Sequence, residues 1–339
     1  VCAAFAEALG LPDVGVDADF FASGGHSLLA ARVVSLLGGA ASGVRLRDVF
    51  EARTPRELAG RLRHDEVAPV PVRSVTRVEP RPARVRASFA QQRLWTVDQL
   101  DGPSAAYNIP LAVRATGPLD VSALGLALQD VVRRHEALRT VLVSVDGEPL
   151  QVVRDVPVAE MLMTTLDARW LPAQEQEELV HRQAAHVFDL EHDLPVRLWV
   201  IRTDGDQHTL LLVLHHVAGD GASMIPLLRD LGTAYEARAA GAAPSWQPLP
   251  VQYADYSLWQ AAQVGQGEFD SQIEWWRQSL AGTPAQVPLP ADGQRDLSGG
   301  RPAGTQTCRI PADVHEGLTR LAAAHDASVF MVCHAAVAA

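Results

Sequence analysis

Two short runs of residues have the types and spacing that chemistry requires. The first is GGHSL at residues 24–28, where two glycines and a histidine precede Ser27. The second is HHVAGDG at residues 215–221, where Asp220 follows His216 by four positions. A serine hydroxyl can carry a covalently attached phosphate group, and a histidine can accept or donate a proton near neutral pH. The two runs therefore predict an attachment site and a separate site of acid–base chemistry.

The apolar pattern that follows Ser27 predicts a helix that begins at this residue and stops at Gly38 and Gly39. The two glycines before it would leave the hydroxyl of Ser27 exposed at the helix N-terminus. Free backbone N–H groups and the positive end of the helix dipole favour a phosphate there. On the serine alone, the alternative is that Ser27 only caps the helix.

The apolar run at residues 209–214 predicts a strand that is buried on both faces and ends in two histidines. Because side chains alternate along a strand, His215 and His216 should point to opposite sides of the sheet. Asp220 falls in the turn that follows, and a helix should open near Ala222.

This arrangement suits acyl transfer. An attacking amine must lose a proton, and an imidazole can accept that proton or orient the amine. Gly221 and the N-terminus of the following helix could offer backbone N–H groups to a developing oxyanion. The alternative is a pair of core histidines beside a structural turn.

The rest of the chain predicts two kinds of structure. Residues 1–64 have the pattern of a compact helical unit, whose last helix begins at the capping box TPRE at residues 54–57. Beyond residue 86, helical and strand patterns alternate, which predicts a sheet covered by helices in an α/β or α+β sandwich. The predicted helices lie around residues 91–100, 121–136, 173–187, 224–237, 255–264 and 270–280. The predicted strands lie around residues 138–145, 149–153, 196–202 and 209–216, the last two joined by a hairpin turn at residues 204–206.

A segment without apolar periodicity separates the two parts. It carries Pro69, Pro71, Pro80 and Pro82, interleaved with arginines and single valines. Pro-rich chains favour extended conformations at about 3.1 Å per residue, so about 20 residues could reach on the order of 60 Å. We expect a tether, and the alternative is an ordered strap that lies on the following domain.

Composition excludes several classes of protein. The 339 residues are typical of two or three folded units. No apolar run reaches the roughly 18 residues of a membrane span, and the net charge of -11 argues against a nucleic-acid binder. Cys2, Cys308 and Cys333 lack metal-ligand spacing and cannot all pair, so we expect reduced thiols in a cytoplasmic protein. The chain does not begin with Met, and we expect it to come from a longer protein.

The longer string around Ser27, DFFASGGHSLL at residues 19–29, resembles the attachment site of a peptidyl carrier protein from a non-ribosomal peptide synthetase. The resemblance implies that a phosphopantetheinyl transferase places 4'-phosphopantetheine on Ser27. The thiol of that group would hold an aminoacyl or peptidyl thioester. Ser23 departs from the family, which more often has a larger apolar residue there, and this does not affect the modification chemistry.

Four strings in the second part, in this order, resemble a condensation domain over residues 86–339. They are SFAQQRLW at 88–95, RHEALRT at 134–140, HHVAGDG at 215–221 and YADYSLW at 253–259. Such domains have two chloramphenicol-acetyltransferase-like lobes, with donor and acceptor arms entering a tunnel from opposite faces. The resemblance implies no metal and no nucleotide, because a thioester is already activated.

The resemblance also implies roles for single residues. His216 matches the histidine assigned to catalysis, as a base or as a group that positions the amine. Asp220 matches an aspartate that pairs with an arginine, here Arg93 or Arg139. Gly221 matches the glycine beside the reaction centre. His215 is assigned to structure.

The resemblance implies a domain plan. It places a four-helix carrier at residues 1–64, a Pro-rich linker at 65–85 and the first condensation lobe at 86–282. Residues 283–339 would hold the connection and the start of a second lobe that is C-terminally incomplete.

The order of carrier and condensation domain makes the group on Ser27 the donor in peptide-bond formation. The partners implied are an upstream adenylation domain and a downstream aminoacyl-carrier acceptor, in antibiotic or siderophore biosynthesis. The segment AYNIP at residues 106–110 resembles the class that accepts an L-configured donor. Two alternatives stay open, namely epimerisation of the carrier-bound residue and a non-catalytic domain that docks a carrier or partner.

Overall fold

The computed structural model describes residues 1–25, 27–37, 44–62, 74–284, 308–325 and 327–338, and it leaves the side chains of Ser27 and Leu28 undescribed. The chain divides into two compact units. The first comprises Val1–Ser74 and Gln286–Ala339, and the second comprises Val75–Ala285. Three predicted features lie outside the described residues. They are His26 of the GGHSL run, the helix stop at Gly38 and Gly39, and most of the predicted connection that follows residue 282.

Short amphipathic helices form the N-terminal part of the first unit. They are α1 (Cys2–Leu9), α2 (Ser27–Leu36), α3 (Leu46–Glu51) and α4 (Pro55–Leu62). Their apolar faces meet in a core that includes Phe5, Phe20 and Leu58, each fully buried. The rings of Phe5 and Phe20 meet edge to face, with centroids 4.9 Å apart. The predicted start of α4 is confirmed, since Thr54 Oγ1 accepts the backbone N–H of Glu57 at 3.3 Å.

The second unit contains two sheets in its described part. The smaller has the order β1–β4–β3 and is antiparallel; its strands are β1 (Val85–Arg86), β3 (Thr140–Val145) and β4 (Glu148–Val153). The larger has the order β2–β7–β6–β5; its strands are β2 (Asn108–Thr116), β5 (Met163–Asp167), β6 (Val196–Asp204) and β7 (Gln207–His215). Within it, β5 runs parallel to β6, and the other pairs are antiparallel.

Helices surround these sheets, and the mixed α/β architecture expected from the pattern is present. The helices of this unit are α5 (Phe89–Asp101), α6 (Val121–Arg134), α7 (Ala159–Leu162), α8 (Ala173–Ala184), α9 (Met224–Ala239), α10 (Tyr253–Gly265) and α11 (Asp270–Ser279). The C-terminal residues of the chain, in the first unit, form α12 (Ala312–Ala324) and α13 (Val329–Ala338). The predicted helix at 121–136 ends early and the strand at 138–145 starts late, because Glu136–Arg139 form a 3-10 helix between them.

The central strand β7 is buried on both faces, as its apolar run predicts. Leu212 and Leu214 join one core cluster together with residues of α6 and α9. Leu211 and Val213 join a second cluster on the opposite face, with Phe188. Burial of each such side chain contributes about 2 kcal/mol, so the position of this strand is strongly determined. The turn at Gly205 and Asp206 connects β6 to β7, which confirms the predicted hairpin.

The described end of the linker is an ordered strap on the second unit. The backbone N–H of Val78 donates to Asp255 Oδ1 at 3.2 Å. Arg81 forms an ion pair with Glu136 at 2.5 Å and lies 3.7 Å from Asp255. Because Asp255 is only 1% exposed, these contacts fix the strap to the N-terminus of α10. The strap alternative therefore holds for this part of the linker.

Among the described residues, no single helix is long and apolar enough to cross a membrane. Only α12 and α13 taken together reach the length and composition of a span, and they are bent by 100° relative to each other.

The tight turn before α2 yields a stability prediction. A Cβ atom at Gly25 would lie 2.4 Å from the ring of Phe20 and 2.5 Å from its carbonyl oxygen. We therefore expect Gly25→Ala to reduce the unfolding free energy of the N-terminal helices by about 1–3 kcal/mol. The ring-proton NMR signals of Phe5 and Phe20 during denaturation measure this loss. Gly15→Ala, whose Cβ would meet no atom within 4 Å, is the control and should change the stability by less than about 0.5 kcal/mol.

Candidate functional site

The loop before α2 is held by the carboxylate of Asp19. Its Oδ1 accepts the backbone N–H groups of Phe21 and Ala22, each at 2.8 Å. Its Oδ2 pairs with the Arg53 side chain at 2.8 Å, and the Phe20 N–H donates to the Arg53 carbonyl at 2.8 Å. These contacts tie the loop to the segment that precedes α4.

The two glycines then turn the chain over Phe20. Gly24 has a φ of 96°, which favours glycine, and the N–H of Gly25 donates to the Phe20 carbonyl at 2.8 Å. The absence of a side chain at Gly25 is what permits this close approach. Helix α2 begins at Ser27, as predicted. The residues present therefore fit a group attached at a helix N-terminus, where backbone N–H groups favour a phosphate.

His215 ends the buried strand and is itself buried, with 3% of its surface exposed. It pairs across the sheet with Asn108 and lies near the rings of Tyr107 and Phe188, at centroid distances of 6.5 and 6.1 Å. Its Nδ1 accepts the Val217 N–H at 3.3 Å. Burial, and then the neighbouring His216, lower the pKa of His215 to about 4. His215 is therefore neutral at physiological pH and acts as part of the core.

His216 is the exposed member of the pair, as the alternation of side chains predicts. Its backbone is fixed, because its N–H donates to the Tyr107 carbonyl at 2.9 Å. The imidazole is thus accessible, while the backbone that carries it is held by Tyr107, the residue that precedes β2. Proton transfer requires this combination of access and placement.

Asp220 is engaged locally, by a serine three residues away. It caps the 3-10 helix Gly221–Ser223: its Oδ1 accepts the Ser223 N–H at 2.9 Å and the Ser223 hydroxyl at 2.7 Å. The Ser223 hydroxyl is the main reason that the pKa of Asp220 lies below its usual range. In the part of the chain that the structure describes, neither Arg93 nor Arg139 forms an ion pair with Asp220, contrary to our expectation. Arg139 instead donates to the Arg154 carbonyl at 2.5 Å.

The cap on Asp220 bears on the expectation about an oxyanion site. The backbone N–H of Ser223 donates to the Asp220 carboxylate at 2.9 Å, so this group at the start of the 3-10 helix is engaged in the cap. That Gly221 offers its backbone N–H to a developing oxyanion stays a prediction. A Cβ at Gly221 would meet no atom within 4 Å, so open space adjoins this residue. The tight glycine is Gly219, where a Cβ would lie 3.2 Å from the Ser223 Cβ.

A buried polar network joins three of the four sequence strings. Gln91 donates to the carbonyl of Val217 at 3.2 Å and lies 3.5 Å from Gln151. The Ser88 hydroxyl lies 2.8 Å from the Tyr253 hydroxyl. The string at 134–140 contacts α9 instead, since Arg134 and His135 both bond to Asp230, at 2.8 and 2.9 Å. The four strings therefore stabilise the elements around the histidines. Sequence analysis alone did not identify Gln91, Tyr107 or Ser223 as residues of the site.

Comparison with protein families agrees with this geometry. The family described as the condensation domain matches residues 83–339, which is more than half of the chain. The chain belongs to the condensation-domain family. A second family, described as the phosphopantetheine attachment site, matches residues 1–62. The N-terminal part of the chain is therefore a carrier that takes covalent 4'-phosphopantetheine, followed by a condensation domain.

Nonribosomal peptide synthetases resemble the chain over nearly its whole length. It is 45% identical over 99% of its residues to a protein of Salinispora arenicola (strain CNS-205) described as a probable non-canonical nonribosomal peptide synthetase. It is 39% identical over 100% of its residues to the dimodular nonribosomal peptide synthase of Bacillus subtilis (strain 168). The chain spans only 4% and 14% of the lengths of these two proteins.

Solved structures show the same fold. The X-domain from teicoplanin biosynthesis matches with 34% identity and a TM-score of 0.66, over 75% of this chain and 56% of that one. The first condensation domain of the calcium-dependent antibiotic synthetase, in complex with a substrate analogue, matches with 24% identity and a TM-score of 0.60. That match covers 76% of this chain and 59% of the other, and it supports the fold alone.

A cavity of about 350 Å³ in the condensation domain adjoins the histidine loop, residues 215–221. Its walls are mainly apolar and include Leu214, Ala218, Ser223, Leu227, Tyr253 and Tyr256. This space is large enough for an amino-acid residue beside the loop that carries His216.

The lowered pKa of His215 predicts a pH-dependent stability. Between about pH 6.5 and pH 4, the unfolded chain binds a proton at residue 215 that the folded chain does not bind. The unfolding free energy of the condensation domain should therefore fall as the pH falls through this window, by about 3 kcal/mol from this residue. Denaturant titrations at several pH values, followed by tryptophan fluorescence, measure the change. His215→Asn should remove that part of the pH dependence, whereas His181→Asn, at an exposed position on α8, should not.

Proposed function

We propose that this chain presents an acyl group on its carrier and uses the condensation domain to join that group to an incoming amine as a peptide bond. The observation that carries the proposal is the histidine loop. It holds an exposed imidazole at His216 on a backbone fixed at Tyr107, beside a buried, neutral His215. A loop that only completed a core would not need an exposed histidine on a fixed backbone.

Ser27 is the proposed attachment point on the carrier, which we interpret as a four-helix bundle. Its place at the first residue of α2, after two glycines turned tightly over Phe20, supports this assignment. When bound, phosphopantetheine supplies a thiol that carries the acyl group as a thioester. A phosphopantetheinyl transferase is the partner that this modification requires.

His216 is the residue we assign to proton transfer or to placement of the attacking amine. Its exposure lets a substrate amine approach, and an imidazole can accept a proton near neutral pH. Asp220, kept ionised by the Ser223 hydroxyl, presents a negative charge near His216 and anchors the turn. Gly221 leaves room for a substrate beside the turn, and His215 supports the strand end. We assign Arg93 and Arg139 to support of the surrounding elements.

In the proposed domain plan, the carrier comprises residues 1–64 and the linker residues 65–85. The first condensation lobe comprises residues 86–282, and residues 283–339 hold the connection and the start of a second lobe. The chloramphenicol-acetyltransferase-like plan of two lobes is supported by the fold similarity to the X-domain and to the first condensation domain of the calcium-dependent antibiotic synthetase, of which this chain covers 56% and 59%. The strap shortens the proposed tether. Eleven residues separate Leu62 from Ser74, and at about 3.5 Å per residue they span at most about 40 Å.

The proposed partners follow from this order of domains. An upstream adenylation domain would select the monomer, and a downstream aminoacyl carrier would supply the amine. The similarity to nonribosomal peptide synthetases supports a role in antibiotic or siderophore biosynthesis. We propose a cytoplasmic location, which the free thiols of Cys2, Cys308 and Cys333 support.

Loading and transfer can be tested in one experiment on the intact protein. The protein is incubated with a phosphopantetheinyl transferase and an aminoacyl-coenzyme A, and intact mass reports loading. A free aminoacyl carrier is then added as acceptor. We expect Ser27→Ala to block loading and Ser23→Ala, an exposed serine in the same loop, to leave it unchanged.

His216→Ala should load normally but lose transfer by about 100-fold or more, since general acid–base catalysis contributes 10²–10⁴-fold. Wild-type transfer rates in this variant would contradict the assignment of His216. Loading of the wild-type protein without any transfer would instead favour a domain that docks partners. Retention of the acyl group on Ser27 with inverted configuration would favour epimerisation.

A further inference from the structure

We infer that Gln91 is a positioning residue for the reaction, which fixes the carbonyl of Val217, the residue after His216, and so sets the direction of the His216 imidazole. The inference rests on the proposed function, because it concerns the same histidine. Gln91 does not touch the reacting atoms.

The side-chain amide of Gln91 is engaged at both ends. It is 2% exposed and lies in the first turn of α5. Its Oε1 accepts the Ser88 N–H at 3.1 Å, and its Nε2 donates to the Val217 carbonyl at 3.2 Å. Because the acceptor end is held by a backbone N–H, the donor end has one orientation, toward the histidine loop.

The bond from Gln91 completes a set that fixes the backbone on both sides of His216. On the N-terminal side, the His216 N–H donates to the Tyr107 carbonyl at 2.9 Å. On the C-terminal side, the Val217 N–H donates to His215 Nδ1 at 3.3 Å, and Gln91 binds the Val217 carbonyl. An exposed side chain has few contacts that could orient it, so the orientation of His216 depends on these backbone bonds.

A second layer of buried groups holds Gln91 in place. The Ser88 hydroxyl accepts the backbone N–H of Gln91 at 3.2 Å and also meets the Tyr253 hydroxyl at 2.8 Å. Gln151, close to the Gln91 amide, donates to the Ser257 hydroxyl at 2.8 Å. Helices α5 and α10 therefore both help to hold the Gln91 amide against the Val217 carbonyl.

Two substitutions separate positioning from simple packing. Gln91→Glu keeps the shape and the acceptor for Ser88, but a carboxylate cannot donate to the Val217 carbonyl. Protonation restores a donor, and burial raises the pKa of such a carboxyl. Gln91→Met keeps the volume approximately and has no donor at any pH. The matched control is Gln92→Glu, because Gln92 also donates to a backbone carbonyl, that of Ala87 at 2.6 Å, away from the histidines.

Transfer by the loaded full-length protein is measured from pH 6 to pH 8.5 as kcat and KM for the aminoacyl-carrier acceptor. We expect Gln91→Glu and Gln91→Met to lower kcat at pH 8 by about 10- to 100-fold, with KM changed less than about threefold, because a misdirected catalytic group costs up to about 10². Relative to wild type, Gln91→Glu should recover as the pH falls toward 6, and Gln91→Met should not. Gln92→Glu should stay within about twofold of wild type at every pH.

The outcomes distinguish this inference from the proposed function. If the wild-type protein shows no His216-dependent transfer, the proposed function fails. If transfer is normal and the Gln91 variants match the control, or if Gln91→Glu and Gln91→Met show the same pH profile, the positioning role is wrong. Thermal unfolding confirms that each variant is folded. If both Gln91 variants unfold, the solvent-exchange rate of the Gln91 side-chain amide protons is measured by NMR in the wild-type protein. Rapid exchange would contradict the hydrogen bond to the Val217 carbonyl.

Discussion

The antiparallel pairing of β2 with β7 is the constraint on which the candidate site depends. It places Asn108 opposite His215 and brings the Tyr107 carbonyl within 2.9 Å of the His216 N–H. Strand β7 is fixed in turn by burial on both faces, with Leu212 and Leu214 on one side and other apolar residues on the opposite side. The end of the strand therefore cannot shift without exposing apolar surface. The backbone position of His216, which directly follows the strand, is fixed as a result.

The two adjacent histidines show how burial divides roles between identical side chains. His215 lies among aromatic rings, where desolvation disfavours its charged form. His216, one residue further, is exposed, and we propose that its imidazole acts on the substrate. The alternation of side chains along a strand produces this division without any additional device. Asp220 and Ser223 then close the turn by mutual hydrogen bonds.

Local signals predicted much of this structure. The apolar run of β7, the hairpin at Gly205 and Asp206, the start of α4 and the start of α2 at Ser27 all depend on residues close in sequence. The opposite placement of His215 and His216 also followed from the strand pattern alone.

Features that depend on distant residues were missed or predicted incorrectly. Strand β2 contains Pro110 and is largely exposed, so it shows no alternation; an edge strand acquires its conformation by pairing with its neighbour. The expected pairing of Asp220 with an arginine fails because Ser223, three residues away, satisfies the carboxylate at a small loss of chain entropy. The pattern S-x-x-Q at residues 88–91 is a capping box and could have drawn attention to Gln91. Its second partner, Val217, is fixed only by the folded arrangement.

Amide hydrogen exchange of His216 is the most direct test of the central claim, that an accessible imidazole is carried on a fixed backbone. We expect the His216 amide to exchange as slowly as that of Val213 in the buried strand, and the Gly221 amide to exchange far faster. Residue-resolved exchange on the full-length protein gives both rates. A His216 amide that exchanges as fast as that of Gly221 would contradict the account, because the histidine loop would then open independently of the sheet.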